Sequence, residues 1–228
     1  MQLFFAQPSD IQQGILSPEE SMHCVKVLRK KEGDLIHLVN GIGDLISVEI
    51  VHANPKKCVF KFVKKEVQQN NNPFLHIAIA PTKNLDRIEF FIEKACELGI
   101  QTITPLITFN SERKHINIER LQKIVVAACK QSYTLNFPTL NQATKYSDVI
   151  NLSFEQKLIA HCYSHETPHL KTFDTTKSTL LLIGPEGDFS EQEIKLASDK
   201  GFESVSLGEK RLRTETAGIL ACSIFNLR

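Results

Sequence analysis

Residues 67–73 read VQQNNNP, and this polar run separates two regions with different hydrophobic periods. Consecutive Asn and Gln closed by Pro disfavour regular structure, because Pro biases its predecessor toward extended geometry. Before this seam the apolar residues come in short strand-like runs at 3–6 (LFFA), 34–39 (DLIHLV), 45–51 (LISVEIV) and 57–63 (KCVFKFV). In the last run, alternation places Cys58, Phe60 and Phe62 on one face and Lys57 and Lys61 on the other. The connections NGIGD and HANPK carry the Asn, Gly and Pro that tight turns require. A small β-barrel over residues 1–70 is expected.

Residues 73–228 alternate strand and helix instead. A strand at 75–80 (LHIAIA) precedes a helical stretch, NLDRIEFFIEKACEL, in which Leu85, Ile88, Ile92 and Ala95 recur at helical spacing before Gly99 stops it. Strands follow at 103–107, 157–162, 178–184 and 204–207, with helices at 118–133, from Ser190 to Gly201, and at 214–226. Ser190 and Glu193 have the S-x-x-E form of a capping box. Such alternation predicts an α/β domain with a largely parallel sheet.

Composition bounds the function without naming it. The chain has 228 residues, 27 Lys+Arg against 26 Asp+Glu, and a net charge of +1. That balance excludes an indiscriminate polyanion binder. No apolar run approaches the roughly 20 residues that span a bilayer, and MQLFFAQPSD lacks the form of a secretion signal. Six widely spaced cysteines without a C-x-x-C pair fit a reducing, cytoplasmic setting.

Two late loops are the candidates for chemistry, although an ordinary solvated turn has the same residue types. Gly184-Pro185-Glu186-Gly187 leaves an apolar strand and precedes the capped helix, at the sheet edge where open α/β proteins bind ligands. A plain strand-to-helix turn has the same local pattern, and no Gly-Lys-Ser/Thr follows to make a P-loop. The second loop, LGEKRLRTETA (207–217), concentrates Lys210, Arg211 and Arg213 before the last helix. If their strands are neighbours, both loops converge on one ligand.

These residues resemble a known family. IGPEGDFSEQE with VSLGEKRLRTETA is similar to the paired signature of the knotted SPOUT methyltransferases, and more narrowly of the RsmE-type ribosomal RNA uridine N3-methyltransferases. APTKNLDRIEFFIEKACELGIQTITPLITFNSERK (80–114) and HCVKVLRKKEGDLIHLVNGIGD (23–44) extend the resemblance over nearly the whole chain. It implies an N-terminal PUA-like RNA-binding barrel and a SPOUT α/β domain with a deep trefoil knot. It further implies a homodimer that binds S-adenosylmethionine and methylates a uridine of small-subunit ribosomal RNA near the decoding centre.

Carried onto this sequence, the cofactor-binding residues are Gly184, Pro185, Glu186 and Gly187 of the first loop and Leu207, Gly208, Leu212, Arg213, Thr214 and Ala217 of the second. Ala160 and His161 fall where a third cleft segment is expected. Arg213 would stabilise negative charge on the acceptor base, with Glu186 or Glu215 as proton acceptor; an equally good reading has Glu215 supporting the helix N-terminus. RNA contacts are expected from Lys26, Arg29, Lys30, Lys31 and Lys210, on the view that clustered cations meet phosphates rather than forming a merely solvated face, and the resemblance adds Arg87 and Arg113, which match its strand–helix block and its ER position. Departures from the family pattern are Asp188 for a second Gly, Lys210-Arg211 for Arg-Ile, and Lys130 and Thr134 for Glu and Arg.

Two features argue for less than they suggest. His161, His165 and His169 are spaced by four, but Pro168 breaks a helix there, so a loop with incidental histidines and no metal is expected. Asn40-Gly41-Ile42-Gly43 reads as a turn between barrel strands rather than a nucleotide loop. The competing functions are methylation of another RNA, such as transfer RNA, and a non-enzymatic RNA-binding or assembly factor.

Overall fold

The computed structural model describes residues 2–69, 74–163 and 167–226. Asn70–Pro73 of the polar seam and His165 of the histidine series lie outside them. The chain forms two compact units, one of Met1–Asn71 with Val126–Phe137, the other of Asn72–Val125 with Pro138–Arg228.

In the first unit, β1 (Leu3–Phe5), β2 (Leu35–Val39), β3 (Asp44–His52) and β4 (Val59–Val67) form a sheet in chain order. β1 and β2 are parallel and the other pairs antiparallel. Two short helices, α1 (Pro8–Gln13) and α2 (Pro18–Met22), precede β2, and α2 continues into a π-helical turn (His23–Val27). Each begins with Pro in its first turn, where the missing N–H costs nothing. Ser17 caps α2 by accepting from the Glu20 N–H. Phe4, Leu16, Ile36, Leu38, Val48, Ile50, Cys58 and Phe60 make the core. Asn40 Oδ1 accepts from the N–H groups of Ile42 and Asp44, which fixes the β2–β3 turn. Gly43 has a φ of 97°, and a Cβ there would lie 2.6 Å from the Gln68 carbonyl oxygen.

Phe62 departs from expectation. It pairs with buried Val48, yet it is 62% exposed while Phe60 is 6% exposed. β4 ends the strand order and all its residues from Lys61 onward are exposed, so alternation supplies a face without a cover. Lys130, which stands where the resemblance expects Glu, forms an ion pair with largely buried Glu20.

The second unit holds a parallel sheet: β5 (Leu75–Ile79), β6 (Thr102–Ile107), β7 (Thr139–Leu140), β8 (Thr144–Lys145), β9 (Gln156–Ala160), β10 (Thr179–Ile183) and β11 (Glu203–Val205). The order is β11-β9-β10-β5-β6-β7, with β8 also on β6. Every residue of β5 and β10 is buried, as central strands covered on both faces require. Helix α3 (Leu85–Glu97) is capped by Asn84, and buries Ile88, Phe91, Ile92 and Ala95. The remaining helices of this unit are α5 (Tyr146–Val149), α6 (Glu191–Asp199) and α7 (Thr214–Asn226), while α4 (Ile118–Ser132) begins here and its residues from Val126 onward belong to the first unit. The Ser190–Glu193 capping box starts α6 in both directions, each side chain accepting from the other residue's N–H. α7 packs on α3 and β5. Among the described residues no helix is long and apolar enough to cross a membrane.

His76 lies in β5, 4% exposed, with its Nε2 2.7 Å from Thr104 Oγ1. Burial pushes its imidazole down to about 4 from the ordinary 6.5. Between those values the unfolded chain binds a proton that the folded chain refuses. The contribution is therefore fully present above pH 6.5 and is lost as pH falls toward 4, at most about 1.4 kcal/mol per pH unit. Urea midpoints of His76→Gln at pH 7 and pH 5 should differ less than those of the wild type. Equal pH slopes would place the acid sensitivity elsewhere.

Candidate active site

β11, β9 and β10 are adjacent and parallel, so the loops leaving their carboxyl ends meet at one edge of the sheet. These loops, with Arg87 of α3 and Ala217 of α7, line a cleft of about 820 Å³. Gly184, Pro185, Glu186 and Asp188 come from the loop after β10; Ser206 to Arg213 come from the loop after β11. Ala160, His161 and Cys162 come from the end of β9.

Hydrogen bonds join the loops. Buried Thr214, first residue of α7, donates its hydroxyl to the Gly184 carbonyl at 3.1 Å. Arg211 Nη2 donates to the Glu186 carbonyl at 3.0 Å. Gly208 has a φ of 132°, and its N–H donates to Ser206 Oγ while that hydroxyl donates to the Gly208 carbonyl. Asp188 has a φ of 62°, a left-handed conformation that Gly favours and Asp tolerates better than most residues. Its Oδ2 accepts from the Cys162 N–H at 2.8 Å, its Oδ1 from its neighbour Phe189, and its carbonyl from Asn110 Nδ2. Aspartate in place of the expected glycine thus keeps the backbone shape and adds a tie between the β9 and β10 loops.

The charged groups differ in how far they are engaged. Arg87 lies 3.9 Å from Glu186 Oε1 and 3.8 Å from Glu215 Oε1. Glu186 Oε1 also accepts from the Lys83 N–H at 3.2 Å. Glu215 is 7% exposed, does not line the cleft, and its Oε2 has no hydrogen-bond partner among the described residues. The Arg213 side chain lines the cleft with no hydrogen bond or ion pair among the described residues. His161 Nδ1 accepts from the Tyr163 N–H, which leaves Nε2 to donate to Ser204 Oγ at 2.8 Å. Burial lowers the His161 pKa, partly opposed by the Asp188 carboxylate.

Of the sequence-expected cofactor residues, the structure gathers Ala160, His161, Gly184, Pro185, Glu186, Leu207, Gly208, Leu212, Arg213, Thr214 and Ala217 around the cleft. Gly187 faces elsewhere, its carbonyl accepting from Asn110. Arg87 and Lys210 join the cleft, while Arg113 lines a separate notch. Lys26, Arg29, Lys30 and Lys31 belong to the first unit and form no ion pair among the described residues, whereas Lys61, Lys64 and Lys65 pair with Glu49, Glu66 and Asp44. Sequence reasoning passed over Asp188, Ser206 and Glu209 as cleft residues; an Asp in a glycine-bearing turn was the available signal for the first. Among the described residues no group of three His, Cys, Asp or Glu side chains is placed to hold a metal.

The class is that of RNA methyltransferases: the chain belongs to the family whose RNA methyltransferase domain matches residues 69–226, with an RNA methyltransferase PUA domain matching residues 16–63. Among its relatives is the ribosomal RNA small subunit methyltransferase E of Rickettsia conorii, 32% identical over 90% of this chain and 86% of that protein. The crystal structure of a "probable rRNA-methyltransferase" from Porphyromonas gingivalis is 36% identical, with a TM-score of 0.93 over 100% of this chain and 99% of that one. A ribosomal RNA small subunit methyltransferase E from Neisseria gonorrhoeae, solved bound to S-adenosyl methionine, is 25% identical with a TM-score of 0.82, over 98% and 95% of the two chains.

Proposed function

We propose that this chain methylates N3 of a uridine in small-subunit ribosomal RNA, near the decoding centre, using S-adenosylmethionine. The observation that carries the reading is the convergence of two glycine-bearing loops and an unengaged Arg213 on one cleft. Its volume, about 820 Å³, lies within the range of small-molecule and cofactor sites. Exposed backbone at Gly208, with open space where a Cβ would stand, offers close approach to a nucleoside, and Glu186 supplies a carboxylate suited to a cationic sulfonium ligand. When bound, S-adenosylmethionine supplies a methyl group that is already electrophilic.

The chain's own residues then serve the acceptor. Uracil N3 is a weakly acidic imide and must lose its proton. Arg213 offsets the resulting negative charge in a cleft that partly excludes water. In this reading Glu186, which lines the cleft, accepts the proton, and Glu215, which does not line it, positions Arg87. The exposed cations Lys26, Arg29 and Lys31, with half-buried Lys30, contact RNA phosphates.

The finer architecture belongs to the same reading. After edge strand β11 the chain returns to α7, which packs on β5 and β10, with Thr214 bonded to Gly184. This return supports a deep trefoil knot, an exception to the general rarity of knots. Residues 1–70 are taken as a PUA-like β-barrel and residues 73–228 as the SPOUT domain, with Val126–Phe137 of the latter counted in the first compact unit. The working form is a cytoplasmic homodimer acting on the assembled small subunit.

Two measurements test the reading. Calorimetric titration should detect S-adenosylmethionine binding, and its absence would favour a non-enzymatic RNA-binding factor. Ribosomal RNA from cells lacking the gene should lose a methyluridine near the decoding centre. A mark still present there would redirect the chemistry to another RNA, such as transfer RNA.

A further inference from the structure

We propose that a basic notch beside the cleft is a phosphate subsite for the RNA strand flanking the target nucleotide, an inference that rests on the RNA methyltransferase reading of the cleft. The notch, about 390 Å³ and open to solvent, is lined by Lys83, Glu112, Arg113, Lys114 and His115. Two loops build it, one leading from β5 into α3 and one from β6 into α4. β5 and β6 are adjacent and parallel, so both loops leave the same edge of the sheet as the cleft loops.

Its charge is unbalanced. Three permanent cations face one carboxylate, and Lys83 Nζ lies 3.2 Å from that carboxylate, Glu112. Arg113 Nη2 donates to the Lys83 carbonyl at 2.9 Å, which holds the guanidinium against the wall. Arg113 Nε has no hydrogen-bond partner among the described residues. Lys114 is exposed and makes no hydrogen bond or ion pair among the described residues. Cations held this way recognise an oxyanion with several acceptor oxygens, and a phosphate is the RNA group that fits. No Phe, Tyr or Trp lines the notch.

Lys83 sets the register between notch and cleft. Its side chain lines the notch, while its backbone N–H donates to Glu186 Oε1, a cleft residue. Lys83 thus borders both the notch and the cleft. A strand that placed its uridine in the cleft would lay a neighbouring phosphate in the notch. This contact positions the strand without reading its sequence.

The test uses the full chain, a small-subunit ribosomal RNA fragment and a series of KCl concentrations. Lys114→Glu should weaken RNA binding about tenfold at low salt and lower the log K against log salt slope by about one, with S-adenosylmethionine affinity unchanged. Arg113→Gln should act in the same direction; if it fails to fold, Lys114→Glu decides alone, because Lys114 is exposed. Wild-type affinity and slope in Lys114→Glu, with wild-type protein still methylating the fragment, would overturn the notch and leave the cleft reading standing. A wild-type chain that neither binds nor methylates the RNA would overturn both.

Discussion

Arg213→Gln should lower the rate of methyl transfer on the order of 10²–10³-fold, the usual cost of removing one donor aimed at developing negative charge. The other cleft arginines are engaged: Arg87 sits between Glu186 and Glu215, and Arg211 is bonded to the Glu186 carbonyl. Arg213 alone among these three has its guanidinium uncommitted among the described residues, so its charge is available to a bound base. The variant should bind S-adenosylmethionine and RNA within a few-fold of wild type, because the loss falls on the charge that develops as the uracil is deprotonated. Arg213→Lys should recover part of the rate by keeping the charge. Single-turnover methylation of ribosomal RNA with saturating cofactor checks this. A Gln variant within threefold of wild type would show that orientation of the two reactants supplies the rate instead.

Gly218→Ala should destabilise the second unit by about 1–3 kcal/mol, the typical cost of overpacking a filled core. A Cβ at Gly218 would lie 2.4 and 2.6 Å from two atoms of the Phe91 ring and 3.1 Å from Ile79 Cδ1. Phe91 and Ile79 are both fully buried, so the ring has little room to yield. In an open helix the same substitution gains up to about 1 kcal/mol of propensity, and here the clash outweighs it. The expected fall in Tm is several degrees for a chain of this size. Thermal unfolding measures it, with Gly218→Val expected to fall further. An alanine variant that melts at or above wild type would show that α3 moves aside and that propensity governs.

Gly218 also shows where local reading stops. Its place in an apolar run makes it a helix residue of ordinary appearance. Only the approach of α7 to Phe91 of α3 and Ile79 of β5 makes the missing side chain necessary. Phe62 fails for the same reason: alternation assigns its face, and whether anything covers that face depends on distant segments. By contrast the Ser190–Glu193 capping box and the turn at Asn40–Gly43 were legible, because their bonds close within four residues.

The candidate site divides along the same line. The glycine loops at 184–187 and 207–208 stand out in the sequence, since a turn leaving a parallel strand needs residues of that kind. That they share one cleft follows from the order β11-β9-β10, which no local pattern contains. The three carboxylates Glu186, Asp188 and Glu215 are alike as residue types. Tertiary structure gives them different work: Glu186 on the cleft wall, Asp188 tying two loops, and Glu215 buried against Arg87. Sequence by itself determined the two differently patterned regions, the strand–helix alternation and the glycine-bearing turns, because period, capping and turn geometry act over a few neighbouring residues. Tertiary structure alone decided which cations remain uncommitted, which carboxylates reach the cleft and where Arg113 lies. Those outcomes depend on burial and pairing between segments tens of residues apart.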